Sequence, residues 1–152
     1  GFISESELLD FWMNDPRPVE EIQARLEAAA PPGMAIRTVQ EVDLQEDSLQ
    51  SRMHASAFVV TFFDPQDLEK LNEKVRALLS QKEIIRTRRK KIYNLRPLIL
   101  EFEARLVEDS EPGLWMRLLA EPGATGRPDE VLDEMGFMNT QYLVRRTQLI
   151  LK

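Results

Sequence analysis

Residues 55–80 read ASAFVVTFFDPQDLEKLNEKVRALLS, and this stretch decides the fold class. Its first nine residues, 55–63, are rich in β-branched and aromatic side chains and predict a strand. Asp64 and Pro65 suit the N-cap and the first position of a helix, which we expect to run to Ser80. The apolar face of that helix consists of Leu68, Leu71, Val75, Leu78 and Leu79. A strand followed by an amphipathic helix indicates a sheet with helices packed on it.

The residues before this stretch predict another strand, helix and strand. Residues 8–13 are largely apolar and predict a strand that places Trp12 in the core. Residues 19–30 have apolar side chains at helical spacing and end before two prolines and a glycine. Residues 34–42 predict a second strand, and a short helix capped by Ser48 is expected to follow.

The residues after it predict a run of strands with one more helix. We expect a hairpin from 84–87 and 92–95, strands at 98–107 and 114–119, a helix at 128–135 and a final strand at 142–151. In the strand at 98–107, one face is expected to hold Leu100, Phe102, Ala104 and Leu106. The pattern predicts one α+β domain over residues 1–152, with a mixed, mostly antiparallel sheet, helices packed on one face and ferredoxin-like character.

Composition restricts the possible functions. The chain has 152 residues and a net charge of −6, which argues against indiscriminate binding of nucleic acid. Residues 82–91 nevertheless carry a local charge of +5, so the rest of the chain carries −11. There is no cysteine, which excludes disulfides, thiolate metal sites and iron–sulfur clusters held by this chain. The sequence has no apolar run long enough to span a membrane, and we expect a cytoplasmic protein.

No residue is predicted to be catalytic or to bind a metal. The single histidine, His54, has no nucleophile and base arranged around it in the sequence. Sequence signatures for nucleotide binding or serine hydrolysis are also missing. Glu101 and Glu103 share a strand face, where a solvated pair is a simpler interpretation than a cation site.

Arginines and a glycine-rich loop are the candidates for anion binding. The loop at 122–127 leads into Pro128 at the first position of a helix, where free backbone N–H groups attract anions. The guanidinium group matches phosphate and carboxylate. The candidate residues are Arg96, Gly123, Gly126, Arg127, Arg145 and Arg146. The alternative is that the arginines neutralise acidic neighbours and bind turn carbonyls.

The basic hairpin is a second candidate, for steering a nucleic-acid backbone. Its cations are accompanied by an aromatic ring on which a base can stack. The candidate residues are Arg86, Arg88, Arg89, Lys90, Lys91 and Tyr93. The alternative is a solvated hairpin whose charge protects a strand edge from aggregation.

Five short motifs carry a family resemblance. They are GFISESELLD at 1–10, APPGM at 30–34, YNLRPLI at 93–99, GRPDEVL at 126–132 and the pair Arg146-Thr147. In this order they resemble the bacterial DUF2344 domain, a radical SAM-linked family of unknown function, over nearly the whole chain. Members of this family usually begin with a further stretch, so the resemblance implies that Gly1 is a truncation point. Where the family commonly has an acidic residue, this chain has Asn94, so a role for that carboxylate is not carried over.

The resemblance implies a non-catalytic accessory domain beside a radical SAM module, in cis or in trans. That module, not this chain, would hold the iron–sulfur cluster and S-adenosylmethionine. The family's association with ribosomal and RNA-processing functions implies an anionic substrate, RNA, in the form of tRNA or rRNA. The alternative from the acidic surface and exposed strand edges is a docking or dimerisation module without a ligand of its own, and the sequence leaves the oligomeric state open. An independent enzyme is the least favoured hypothesis.

Overall fold

A computed structural model of the chain describes all 152 residues. The chain forms two compact units, one of Gly1–Leu8 with Leu49–Lys152 and the other of Leu9–Ser48. The strands are β1 (Ile3–Ser4), β2 (Met53–Phe62), β3 (Ile85–Arg88), β4 (Lys91–Asn94), β5 (Ile99–Leu106), β6 (Pro112–Glu121), β7 (Ala124–Thr125) and β8 (Tyr142–Leu151). The α-helices are α1 (Val19–Ala29), α2 (Leu49–Arg52), α3 (Leu68–Ser80) and α4 (Pro128–Glu134), and 3-10 turns occur at Arg96–Leu98 and Glu108–Ser110.

The main sheet has the strand order β1-β8-β2-β6-β5, and the short β7 pairs with β6. Every pairing is antiparallel except that of β1 with β8, which is parallel. The β3–β4 hairpin forms a separate two-stranded sheet. The predicted α+β class and the mixed, mostly antiparallel sheet are therefore confirmed, and the ferredoxin-like character stays a prediction.

The core of the larger unit lies between the sheet and helices α3 and α4. Both helices contribute fully buried side chains, among them Leu71 of α3 and Leu132 of α4. Facing them are Phe58 and Met116, which are cross-strand partners on one face of the sheet. For α3 and α4 the prediction that helices pack on one face of the sheet is confirmed. This packing puts α4 where it can hold the β3–β4 hairpin.

The start of α3 differs from the sequence prediction. The N-cap is Asp67, whose carboxylate accepts a hydrogen bond from the Lys70 N–H at 2.9 Å. Asp64 and Pro65 lie in the loop before the helix. Several residues of this loop suit a cap, but Leu68 is where the apolar helical face begins, and the cap directly before it is the one used.

The two predicted strands of the smaller unit are wrong. Residues 8–13 and 34–42 have no strand pairing, and within Leu9–Ser48 only α1 is regular. No side chain of this unit is buried, and Trp12, expected in the core, is 69% exposed. An apolar run forms a strand only where it pairs with a neighbouring strand and packs against other side chains. These two segments have no partner strand and no buried side chain.

The predicted apolar face of β5 is only partly correct. Phe102 is buried, but Leu100 and Leu106 are exposed. The pairing of β5 with β6 is irregular between Ile99 and Glu101, so strict alternation breaks there. A bulge of this kind moves one side chain out of the two-residue period.

Candidate functional site

The β3–β4 hairpin turns at its tip through two basic residues. Arg89 and Lys90 have φ of 49° and 67°, the left-handed conformation that a two-residue hairpin turn requires. Arg88 pairs with Lys91 across the ribbon, and Arg86 pairs with Tyr93. Cross-strand partners share a face, so these four side chains lie on one face of the ribbon.

Arg88 anchors that face to the start of α4. Its Nε donates to Glu130 Oε1 at 2.8 Å, and a second guanidinium nitrogen donates to Glu130 Oε2. A further N–H donates to the carbonyl oxygen of Thr125 at 2.9 Å. The guanidinium also stacks over the ring of Tyr93, 4.7 Å from its centroid. Arg88 is thus fully engaged within the protein.

Arg86 makes a second anchor further along α4. It donates to Asp133 Oδ2 at 2.8 Å and to Glu134 Oε1, and its side chain is only 21% exposed. Burial by itself lowers the pKa of Arg86, but the hydrogen bonds and charges of these two carboxylates raise it above its usual value. The guanidinium stays charged, and the hairpin is fixed to α4 at two points.

The surroundings of Glu130, which binds Arg88, favour the charged form of its carboxylate. Burial alone raises the pKa of Glu130, but hydrogen bonds from Arg88 and Tyr93 outweigh it and hold the pKa below its usual value. Burial raises the pKa of Tyr93, and the hydrogen bond to Glu130 adds to that shift. The Tyr93 ring also packs against the hydrophobic core, so it is a structural residue of the hairpin.

The two glycines of the predicted anion loop have conformational and packing roles. Gly123 has φ of +80° and follows Pro122 in the two-residue turn that joins β6 to β7. Proline followed by glycine is the sequence preferred by a type II turn. A Cβ on Gly126 would lie 3.1 Å from the carbonyl oxygen of Leu98 and from Leu118 Cβ. These roles leave open whether the loop also binds an anion.

Four cations beside the anchor remain exposed to solvent. Arg89 and Lys90 at the turn and Lys91 at the start of β4 are exposed, and their side chains make no hydrogen bond or ion pair within the chain. The Arg127 side chain, directly before α4, is also exposed and has no such partner, although its charge acts on Glu130. Arg88 ties the hairpin to Thr125 and Glu130, on either side of Arg127. We call Arg89, Lys90, Lys91 and Arg127 together the basic tip.

Arg96 lies away from the basic tip, at the end of α3. Its guanidinium donates to the carbonyl oxygen of Leu79 at 3.2 and 3.3 Å and to that of Ile99 at 3.3 Å. These contacts satisfy a carbonyl in the last turn of α3, which has no partner within the helix. The observed contacts are those of the alternative interpretation, in which arginine binds backbone carbonyls.

Arg145 and Arg146 lie in β8, on the other side of β2 from the glycine loop. Arg145 forms ion pairs with Glu108 and, at 2.9 Å, with Glu5. Arg146 bonds to Glu7 and to the Ser4 hydroxyl at 3.1 Å, and stacks over Phe2. The structure therefore joins the glycine loop and the hairpin into one surface, and leaves Arg96 and the two β8 arginines at separate places.

The only histidine belongs to a small ion cluster at the end of β6. His54 Nδ1 lies 3.0 Å from Glu121 Oε1, and Lys152 Nζ lies 3.1 Å from the same oxygen. The hydrogen bonds from His54 and Lys152 hold the pKa of Glu121 below its usual value. His54 thus contacts a partly exposed carboxylate and has no nucleophile beside it.

Sequence reasoning missed the acidic residues that hold the hairpin. Glu130, Asp133 and Glu134 bind Arg86 and Arg88, and none was singled out. Their spacing of three and four residues places them on one face of α4. An acidic helical face in a chain with a basic hairpin is a signal for pairing between them, and it was available in the sequence.

Comparison with known proteins places the chain in a family. The sequence profile of DUF2344, described as an uncharacterized protein conserved in bacteria, matches residues 1–128 of the 152. The chain belongs to this family. No curated protein and no solved structure matches it.

The part of this DUF2344 member that matches includes the whole hairpin, the glycine loop and Arg127. Most of α4, with its acidic face, and all of β8 follow the matched residues. None of the helices combines the length and the apolar character needed to cross a membrane.

Proposed function

We propose that this DUF2344 chain is a non-catalytic accessory domain that binds the phosphate backbone of RNA through the basic tip. The proposal rests on a contrast between two sets of cations. Arg86 and Arg88 form ion pairs with carboxylates of α4, whereas the cations of the basic tip are exposed and have no ion pairs. Arg86 and Arg88 fix the hairpin to α4. The basic tip is left free to bind an external anion.

The distribution of charge over the chain supports a local binding site. Leu9–Ser48 carries nine acidic and three basic residues, so the whole net charge of −6 lies there and the remainder is neutral. A cluster of four cations without ion pairs, on a unit that has no net charge, attracts polyanions locally. Such a site suits recognition of a particular region of RNA better than coating of its backbone.

The chemistry is assigned to a radical SAM partner module, in cis or in trans. This chain has no cysteine and therefore no thiolate to hold an iron–sulfur cluster. The partner would hold the cluster and S-adenosylmethionine and supply the radical reaction. In this proposal the present chain contributes substrate binding in the cytoplasm, with tRNA or rRNA as the substrate.

Fluorescence anisotropy with labelled tRNA and rRNA fragments across a salt series tests the proposal. If the four cations of the basic tip each contact a phosphate, log affinity falls against log salt with a slope of about −3 to −4. Absence of saturable binding at low salt would overturn the proposal.

Two double variants, each with two reversed charges, locate the binding site. Lys90→Glu with Arg127→Glu changes the basic tip, and Lys70→Glu with Arg76→Glu makes the same change of charge on the exposed surface of α3. We expect the first pair to abolish binding and the second to weaken it only slightly. If the two double variants lost affinity for RNA equally, binding would depend on the total charge of the protein and not on the basic tip.

A second candidate function, protein docking, is favoured by the unit Leu9–Ser48. No side chain there is buried, and large apolar side chains are exposed, with Leu9 at 77%, Trp12 at 69% and Leu44 at 83%. Apolar exposure of this extent is typical of interaction surfaces. In this candidate function the chain binds the radical SAM module or a second copy of itself and has no ligand of its own.

Light scattering and a binding assay with the purified radical SAM module test this candidate. Docking predicts a dimer, or a complex that Trp12→Lys weakens. A monomer that also fails to bind the module would exclude docking and leave RNA binding as the function.

A further inference from the structure

The outer face of the β3–β4 hairpin differs from the face that contacts α4. Thr87 and Ile92 are cross-strand partners, and Ile85 lies two residues before Thr87 on the same face. Ile85 is 59% exposed and Ile92 is 77% exposed. This face therefore presents two aliphatic side chains and one hydroxyl to solvent, next to the two cations of the turn. Asn94, the cross-strand partner of Ile85, is half-buried on the same face, and its side-chain oxygen accepts hydrogen bonds from the backbone N–H groups of Ile84 and Arg96.

The hairpin has no free aromatic ring on which a base can stack. Tyr93 is its only aromatic residue, and Arg88 covers one part of the ring while the core packs against another. Proteins that bind single-stranded nucleic acid rely on aromatic platforms beside a basic groove. The expectation that Tyr93 is such a platform is therefore not supported by its contacts, and the hairpin lacks the chemistry of single-strand recognition.

The hairpin has a shape that fits the groove of a nucleic-acid double helix. It is a narrow ribbon of two strands about 5 Å apart, with a rigid turn of two left-handed residues at its end. Its outer face offers aliphatic contact and a single free hydroxyl, because the Asn94 oxygen already accepts from two backbone N–H groups. Such a face is poorly suited to reading the pattern of donors and acceptors on base edges. Cations at the turn and at Arg127 can meet phosphates on either side of such a groove.

We propose that the RNA bound by this domain is double-helical, with the hairpin lying in the wide, shallow minor groove of the A-form helix. This inference rests on the proposed RNA-binding function and specifies its substrate. Recognition of double-stranded RNA uses shape, 2′-hydroxyl groups and phosphates. Ile85 and Ile92 pack against ribose, the Thr87 hydroxyl bonds to a 2′-hydroxyl, and the basic tip holds the phosphates.

The test compares three labelled probes by anisotropy, using the full 152-residue chain. The probes are a 20-base-pair RNA duplex, one of its strands alone and the DNA duplex of the same sequence. We expect the RNA duplex to bind at least about tenfold more tightly than either other probe at the same salt concentration.

Two matched variants test the role of the apolar face. Ile92→Glu places a negative charge on the hairpin face, and Leu106→Glu makes the same change at a side chain of similar size in β5 that is 54% exposed. We expect Ile92→Glu to lower the affinity for the RNA duplex by about tenfold and Leu106→Glu to leave it within about twofold. Circular dichroism identifies any loss of folding, and Ile92→Ala, which adds no charge, is expected to weaken duplex binding by a smaller factor.

The outcomes separate this inference from the function on which it rests. A single strand that binds as tightly as the duplex would overturn the inference and leave RNA binding in place. A DNA duplex that binds as tightly as the RNA duplex would overturn minor-groove recognition of the A-form helix. Failure of all three probes to bind at low salt would overturn the proposed function itself.

Discussion

At the scale of single residues, Gly113 in β6 is the glycine that leaves the least room for a side chain. A Cβ there would lie 2.5 Å from the carbonyl oxygen of Val60 and 2.5 Å from Val107 Cγ2. A backbone oxygen in a central strand cannot move aside without disturbing the sheet. We expect Gly113→Ala to destabilise the protein by about 2–3 kcal/mol, measured by urea unfolding.

The control for that variant is Gly123→Ala, where the space is open but φ is +80°. A side chain in that conformation costs about 1 kcal/mol, so the two variants separate packing from backbone strain. Equal losses of stability would contradict the packing explanation for Gly113.

The bond between Arg88 and Glu130 is the main residue-level anchor of the hairpin. The Glu130 side chain is 12% exposed, so removal of its partner leaves a nearly buried carboxylate without its cation. We expect Arg88→Ala to reduce the free energy of unfolding by about 2–3 kcal/mol. Arg76→Ala, which breaks an exposed contact of 3.8 Å with Glu69, should change it by less than about 0.5 kcal/mol. A small effect of Arg88→Ala would mean that the hairpin is held by its apolar contacts.

The pKa of Glu130 gives the anchor a pH dependence. Because this pKa is lower in the folded protein than in the unfolded chain, the ion pair stabilises folding above the unfolded value, and the stability is lost as pH falls through the folded value. We expect Glu130→Gln to be less stable at neutral pH and to lose less stability between about pH 5 and pH 3 than the parent. Glu73→Gln, at an exposed position of α3, should follow the parent curve. Urea unfolding at several pH values measures both, and parallel curves for Glu130→Gln and the parent would count against the anchor.

At the scale of elements, the start of α3 distinguishes two possible caps. Asp67 accepts a backbone hydrogen bond, whereas Asp64 lies three residues earlier in the loop. We expect Asp67→Ala to cost about 1 kcal/mol in the free energy of unfolding and Asp64→Ala to cost much less. Thermal or urea unfolding measures the difference, and the reverse order would move the start of the helix to Pro65.

The elements that the sequence predicted correctly are those set by local chemistry. The hairpin, α3 and β2 depend on turn residues and on periodicity within a single stretch of chain. The strand predicted at 8–13 had the right composition but finds no partner strand, and pairing is not a local property. Arg88 binds a residue 42 positions away, so its partner could not be read from the hairpin itself. Of the candidate site, the sequence identified the cations but could not tell which of them are neutralised.

At the scale of the whole molecule, the two units differ in how many of their side chains are buried. The unit with the sheet has a continuous core, and Leu9–Ser48 has no buried side chain. Segments with few buried contacts open most easily and are cut first by proteases. We expect limited trypsin digestion to cleave first after Arg37, which is exposed and outside any helix, and to leave Leu49–Lys152 intact for longer. Mass spectrometry of the fragments measures this, and early cleavage after Arg89 would contradict the fixed hairpin.

The parallel pairing of β1 with β8 sets the order in which the molecule is completed. Ile3 lies beside Arg145 and Ser4 beside Arg146, so nearly the whole chain separates the partners. A contact between residues so distant in sequence forms late, since the long intervening loop must be closed first. During translation β1 leaves the ribosome long before β8 exists. Until β8 has been synthesised, the backbone N–H and C=O groups of β1 have no partner strand.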